Sequence, residues 1–268
     1  MVKIFTMVKD EIDIVKQWII YHGCLFGWNN IFVIDNFSTD GTYELLYKFK
    51  HLINLSREND YSQKGDYMRR LIDKHCGPNE IAFPMDIDEF IVYYDNGKIN
   101  VDKKFINDYF NNLPISKIYK ANYIYGLLTS PDGVQNAVKE IDYGYYHDMK
   151  NNGKSFFKRK YYKGNVDHGN HINCTDYHLS KICLVLYHYR HVEQMKKKIL
   201  NYILGFEYKN NLVFLENLIK NDPHCNGNHH IKNQINVLNN TFQLKYRPNN
   251  DTDIILTPLK NKAISEYF

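Results

Sequence analysis

The chain has 268 residues, 44% of them hydrophobic, with Lys+Arg 34 against Asp+Glu 30. A chain of this length can bury about three quarters of its extended surface, so its core needs no disulfide scaffold. The near balance of interspersed charge excludes the basic stripe of a nucleic-acid-binding protein, and no apolar run approaches the roughly 18 residues of a membrane span. Five cysteines (Cys24, Cys76, Cys174, Cys183 and Cys225) are odd in number, scattered and without a CxxC pair, which predicts reduced thiols in a cytoplasmic protein. MVKIFTMVKDEID reads as a strand running into charge, not as a signal peptide. The 23 Tyr and 32 Asn stand against only 2 Trp, an excess that reads as coding bias more than chemistry.

In chain order, Val2 to Val8 is a short apolar strand, and Asp10 to Phe26 reads as a helix with an acidic first turn suited to the helix dipole. A second strand, Asn30 to Ile34, ends in the polar turn DNFSTDGT, where Thr39 or Asp40 can cap a short helix from Thr42 to Phe49. His51 to Leu55 is a third strand and Gln63 to Cys76 a helix stopped at Gly77-Pro78. Glu80 to Met85 is a fourth strand running straight into DIDEF. Such alternation predicts an α/β fold with a mostly parallel central sheet flanked by helices. Beyond it, Val101 to Phe110 is a helix, Ser116 to Tyr125 and Tyr161 to Val166 are strands, Leu184 to Tyr189 is another strand and His191 to Phe206 a helix. Two more helices, Leu212 to Ile219 and His230 to Leu238, precede a polar tail. This predicts a catalytic unit over 1–206, with a nucleotide-sugar half over about 1–95 and an acceptor half over about 96–206. Residues 207–268 are expected as a helical extension packed on the same domain.

Functional groups in parallel sheets gather beyond the carboxyl ends of the strands. Asp10, Asp35, Asp40, Asp86 and Asp88 all fall there. If DIDEF continues the strand, Asp86 and Asp88 project to one side while Ile87 packs inward. Two carboxylates aimed together repel unless a cation sits between them, and hard divalent ions also bridge phosphate oxygens. A strand-end Asp-x-Asp therefore suits a metal–diphosphate site, although a solvated acidic turn has the same composition. Neither GxGxxG nor GxxxxGK is present, so the dinucleotide and P-loop readings lack their mechanical parts.

MVKDEIDIVKQWIIYH, IFVIDNFSTDGT and FPMDIDEF, in this order and spacing, resemble the GT-A glycosyltransferases of the family-2 type, closest to the branch related to family 92. The resemblance continues through KSFFKR at 154–159, Asp167-His168-Gly169 and Tyr187-His188-Tyr189-Arg190, and spans roughly 1–200. It implies a Rossmann-like GT-A fold and transfer of a sugar from a nucleoside-diphosphate sugar, UDP favoured, to a hydroxyl of a glycan or other acceptor, with inversion. It implies a nucleotide pocket beginning at Val8 to Glu11, with Asp10 or Glu11 near the base or sugar-nucleotide, Asp35 towards the base and Asp40 on the ribose side. Asp86 and Asp88 match the DxD that holds Mn²⁺ or Mg²⁺, Asp88 ranking first as direct ligand and Glu89 orienting water or the transferred sugar. Lys64 and Arg69 stand where polar donor contacts occur. His188, ahead of its rival His168, matches a further metal ligand, and Lys154, Lys158 and Arg159 are phosphate partners. The family's usual acidic base has no clear counterpart; Asp148, Asp167 and Asp132 stay open. Tyr119, Tyr123, Tyr125, Tyr143, Tyr145 and Tyr146 offer flat faces for an acceptor. The competing readings are a nucleotidyltransferase or sugar-nucleotide-processing enzyme, and a non-catalytic nucleotide- or glycan-binding protein on the same fold.

Overall fold

The computed structural model describes residues 1–204, 211–223 and 228–264, so Cys225 and the expected boundary at 206/207 lie outside the described residues. The first half alternates as the sequence pattern requires: β1 Val2–Val8, α1 Val15–Phe26, β2 Ile31–Asp35, α2 Thr42–Lys48, β3 Asn54–Arg57, α3 Lys64–His75 and β4 Ile81–Pro84. There follow β5 Glu89–Asp95, β6 Lys98–Asn100, α4 Lys103–Asn111, β7 Tyr119–Gly126, α5 Ala137–Glu140, β8 Tyr143–His147 and β9 Lys154–Lys158. The chain closes with β10 His178–Leu186, α6 Val192–Leu204, α7 Leu212–Asn221, α8 Asn228–Leu238, β11 Ile254–Ile255 and α9 Thr257–Ile264.

The strands form one helix-flanked sheet in the order β3-β2-β1-β4-β9-β7-β10-β5-β6, with β8 on β7 and β11 on β8. The part β3-β2-β1-β4 is wholly parallel, which places the ends of β1, β2 and β4 side by side. That is the strand order of half a Rossmann-type sheet. Beyond β4 the sheet is mixed: β9 runs antiparallel to β4 and β7, β10 parallel to β7, and β5 antiparallel to β10. The two faces carry separate apolar layers. Trp18, Tyr21 and Leu25 of α1 pack with Phe83, Phe90, Phe110 and Phe156 on one side, and Met68 and Ile72 of α3 pack with Phe5, Phe32 and Phe157 on the other. Burying apolar side chains of this size stabilises by roughly 1.5–3 kcal/mol each. Among the described residues, no helix is long and apolar enough to cross a membrane.

Four local expectations are corrected. The acidic segment after β1 is not the first turn of α1, which begins only at Val15. Side chains of the next loop intercept its backbone: Asp10 N–H donates to Ser38 Oγ, Glu11 N–H to Thr42 Oγ1 and Ile12 N–H to Asp40 Oδ2. The third strand starts at Asn54, because residues 49–53 turn first. Tyr161 to Val166 is loop, and the strand there is β9, whose Phe156 and Phe157 are buried on opposite faces of the sheet. The polar tail also contains order, since Ile254–Ile255 adds to β8 while Leu256 and Leu259 are buried.

Candidate functional site

The site forms where β1, β2 and β4 end. Asp86-Ile87-Asp88 is not a continuation of β4 but a turn into β5, closed by Glu89 N–H donating to Asp86 C=O and Asp86 N–H donating to Glu89 Oε2 at 2.7 Å. The two-residue alternation of a strand therefore does not apply to it. Ile87 does pack inward, but the two aspartates meet different partners.

Asp86 is held by two buried lysines. Lys64 Nζ donates to its Oδ1 at 2.9 Å and Lys154 Nζ to its Oδ2 at 2.8 Å, with Asn170 Nδ2 adding a bond to Oδ1 at 3.0 Å. Lys154, at the start of β9, also donates to Glu89 Oε1 and the Gly169 carbonyl, each at 2.8 Å, and Lys64 donates to the His168 carbonyl at 2.6 Å. Burial by itself would raise the Asp86 carboxyl, but Lys154 and then Lys64 hold it below the ordinary carboxylate range. Glu89 is 2% exposed, and burial, outweighing Lys154, pushes it up to about 7.

Asp88 faces the other way. Lys198 Nζ of α6 donates to its Oδ2 at 2.9 Å and also bridges to Glu11 Oε1 at 2.8 Å. His188, just beyond β10, brings Nδ1 to 3.9 Å from Asp88 Oδ2. Burial works against the Asp88 charge, yet Lys198, His188 and Arg190 hold its carboxyl well below the usual range. Arg190 is buried and pairs with the second oxygen of Glu11 and with Asp13 at 3.2 Å. Gln194 Nε2 ties α6 to the Asp10 carbonyl at 2.9 Å.

Several candidates are engaged in building the crevice. Val8 gives its carbonyl to Asn36 N–H. Asp10, at φ 54°, accepts from Thr39 N–H, a left-handed position that Asp tolerates better than most residues. Asp40 accepts from Thr42 N–H at the start of α2. Asp35 is fully buried and holds Arg57 Nε at 2.9 Å, while the Arg57 guanidinium lies over the Phe37 and Tyr43 rings at 4.3 and 3.8 Å. The sequence reading missed Arg57, Asn170 and Lys198. Lys198 was recoverable: Gln194 and Lys198 lie one turn apart on one face of α6, near the buried Met195.

Other candidates are not brought to the two aspartates. Arg159 follows the end of β9 that pairs with Ile81, at the opposite edge of β4, and binds Asp73. Lys158 pairs there with Ile81. Arg69 forms surface pairs with Asp66 and Asp73. His168 reaches the Ser62 carbonyl through Nε2, while its own backbone carbonyl meets Lys64. Asp148 is exposed and accepts from Lys150 N–H, and Asp167 is exposed and accepts from His171 N–H.

A cavity of about 170 Å³ adjoins the site, lined by Tyr125, Tyr145, His188, Tyr189, Tyr246 and Arg247 among others. Tyr125 and Tyr145 stack at 5.4 Å within it, whereas Tyr119 and Tyr123 are buried in the core. A larger but shallow cavity of about 580 Å³, lined by β6 residues with Pro258 and Lys262, contains none of the candidate residues.

The residues expected to hold Mn²⁺ or Mg²⁺ do not fit a divalent ion in this arrangement. Both Asp86 oxygens and Asp88 Oδ2 already accept from ammonium groups. Among the described residues no three His, Cys, Asp or Glu side chains converge as a metal-binding group.

No protein-family model matches the chain, and no curated protein matches it. Among solved structures it is similar to residues 1–349 of TarS from S. aureus, at 9% identity and TM-score 0.41, covering 90% of this chain and 71% of that one. The same fragment in complex with UDP gives 9% and 0.42, covering 89% and 70%. HddC from Yersinia pseudotuberculosis gives 12% and 0.40, covering 69% and 93%. These likenesses lie at the level of the fold and do not separate a family-2 from a family-92 relationship.

Proposed function

We propose that the chain is a glycosyltransferase that takes a nucleoside-diphosphate sugar, UDP-linked in the first instance, and transfers the sugar with inversion to a hydroxyl of a glycan or other acceptor. One observation carries the reading: His188 belongs to two places at once. It faces Asp88 in the charged cluster and also lines the aromatic cavity. A donor with a charged diphosphate and an acceptor with flat sugar faces would meet at that residue. Tyr rings with exposed faces and hydroxyl handles suit a pyranose. The family-92-related resemblance of the sequence supports the same reading.

In this mechanism the acceptor hydroxyl oxygen attacks the anomeric carbon and releases its proton to solvent, the bond from that carbon to the diphosphate oxygen breaks, and negative charge grows on the leaving group. Fixed cations aimed at the leaving group stabilise that charge at no reorganisation cost. Lys64 and Lys154 keep Asp86 in place behind the site, and Glu89 acts through Asp86 by accepting its N–H. Glu89 is thus a positioning residue. Arg57, lying over the Phe37 and Tyr43 rings and held by Asp35, is the group we assign to the base side of the crevice.

A thermal-shift screen of UDP-, GDP- and dTDP-sugars, followed by donor hydrolysis, tests the reading, because ligands of the native state raise stability by mass action. One nucleotide class should raise the melting temperature, and His188→Ala should depress turnover more than donor affinity. If no nucleotide sugar shifts the melting temperature, the proposal fails.

A further inference from the structure

We infer that Lys198, in place of a divalent cation, is the group that meets the donor diphosphate, so that nucleotide binding by this chain is independent of metal. The inference rests on the nucleotide-sugar reading above and departs from the metal dependence implied by the sequence resemblance.

An ammonium group carries three N–H donors. Lys154 uses all three, on Asp86, Glu89 and the Gly169 carbonyl, and is 1% exposed. Lys64 is 3% exposed and lies between Asp86 and the His168 carbonyl, and Arg190 is likewise buried against Glu11 and Asp13. None of these three can present a charge to a ligand. Lys198 can. Its side chain is 28% exposed, and two of its donors are placed, on Glu11 Oε1 and Asp88 Oδ2. That leaves one donor for an incoming oxygen.

The ammonium is also held at a fixed point. Arg190 fixes the far oxygen of Glu11, and Gln194, one turn back on α6, bonds the Asp10 carbonyl. A cation already bridging two carboxylates sits between Asp88 Oδ2 and Glu11 Oε1, at 2.9 and 2.8 Å, where a metal bound by that pair would have to sit. Half-buried His188 stands near the same oxygen, so a phosphoryl group bound by Lys198 would lie against the aromatic cavity.

Calorimetric titration of UDP and of GDP into the full chain, in EDTA and again in Mn²⁺, tests the inference without any variant. Binding should survive EDTA, with Kd changing by less than about threefold, since a charge-assisted bond to Lys198 does the metal's work. Lys198→Ala should weaken nucleotide binding by about tenfold or more, and Lys198→Arg should recover part of the loss. Mn²⁺ electron paramagnetic resonance without nucleotide adds a readout that a merely structural lysine would not move. The wild-type chain should not hold Mn²⁺, whereas Lys198→Ala, which strips the counter-charge from Asp88 and Glu11, should gain it. Nucleotide binding seen only with Mn²⁺, or unchanged in Lys198→Ala, overturns the inference. If Lys198→Ala does not fold, the EDTA and Mn²⁺ titrations of the wild type decide. If neither nucleotide binds in either condition, the nucleotide-sugar reading falls and this inference falls with it.

Discussion

The two aspartates of one short turn live in opposite kinds of surroundings. Asp86 rests on Lys64 and Lys154, both nearly sealed from solvent and both anchored further to carbonyls of the 168–169 loop. Asp88 shares a single, partly exposed Lys198 with Glu11 and looks towards His188. The first arrangement is a fixed part of the fold. In the second the carboxylates are 5% exposed and Lys198, at 28%, is the member open to a ligand. The two aspartates thus differ in which partner reaches solvent: the carboxylate on the Asp86 side, at 34%, and the lysine on the Asp88 side, at 28%.

The largest expected effect breaks the Asp86 side. Lys154→Ala leaves the buried Glu89 without its ammonium partner and Asp86 with Lys64 alone, and losing one partner of a buried pair costs about 3–5 kcal/mol. Urea denaturation measures it, and a loss below about 1 kcal/mol would mean that this side is no more fixed than the other. Lys198→Ala should act in the reverse proportion. Its stability cost should be smaller than that of Lys154→Ala, because Arg190 still pairs with Glu11 and His188 still faces Asp88 when the lysine is gone, while transfer activity should fall by about a hundredfold.

A finer test uses pH. Burial raises the Glu89 carboxyl from an ordinary 4.5 to about 7. Below the unfolded value both states are protonated; between 4.5 and 7 only the unfolded state ionises, so folding loses stability as pH rises through that window. Glu89→Gln removes the titration, and its unfolding free energy relative to wild type should climb across the window, at up to about 1.4 kcal/mol per pH unit. A flat difference would show that Glu89 is charged throughout. On the cavity side, Tyr145→Ala should raise the acceptor KM and leave donor affinity unchanged, since Tyr145 lines a pocket whose walls include none of Lys64, Lys154 and Lys198. The smallest effect is expected from Arg69→Ala, whose exposed pairs with Asp66 and Asp73 are worth no more than about 0.5 kcal/mol.

Much of the parallel half was legible in the sequence. Apolar runs such as VKIFTMV and IFVID, separated by amphipathic segments, encode buried strands and covering helices within a few residues. The convergence of strand-end carboxylates on one edge followed from the parallel order alone. The second half was harder, because its strands pair at long range and with both polarities, so the basic run at 154–159 could not be divided locally. Lys154 begins β9 at the site, and Arg159 lies just past the other end, at the far edge of β4. The expected roles of Asp35 and Asp40 met a similar limit: a carboxylate suited to a ligand is equally suited to Arg57 or to a backbone N–H.

By itself, then, the sequence determined the α/β class, the position of the polar edge and the presence of an Asp-x-Asp at it, because hydrophobic periodicity and turn chemistry are local properties. Only the tertiary structure decided that Asp86 is neutralised from beneath and Asp88 from a helix 110 residues away. Which cation pairs with which carboxylate is set by strand order and helix docking, and a Coulomb interaction in a buried site is decided by those few ångströms.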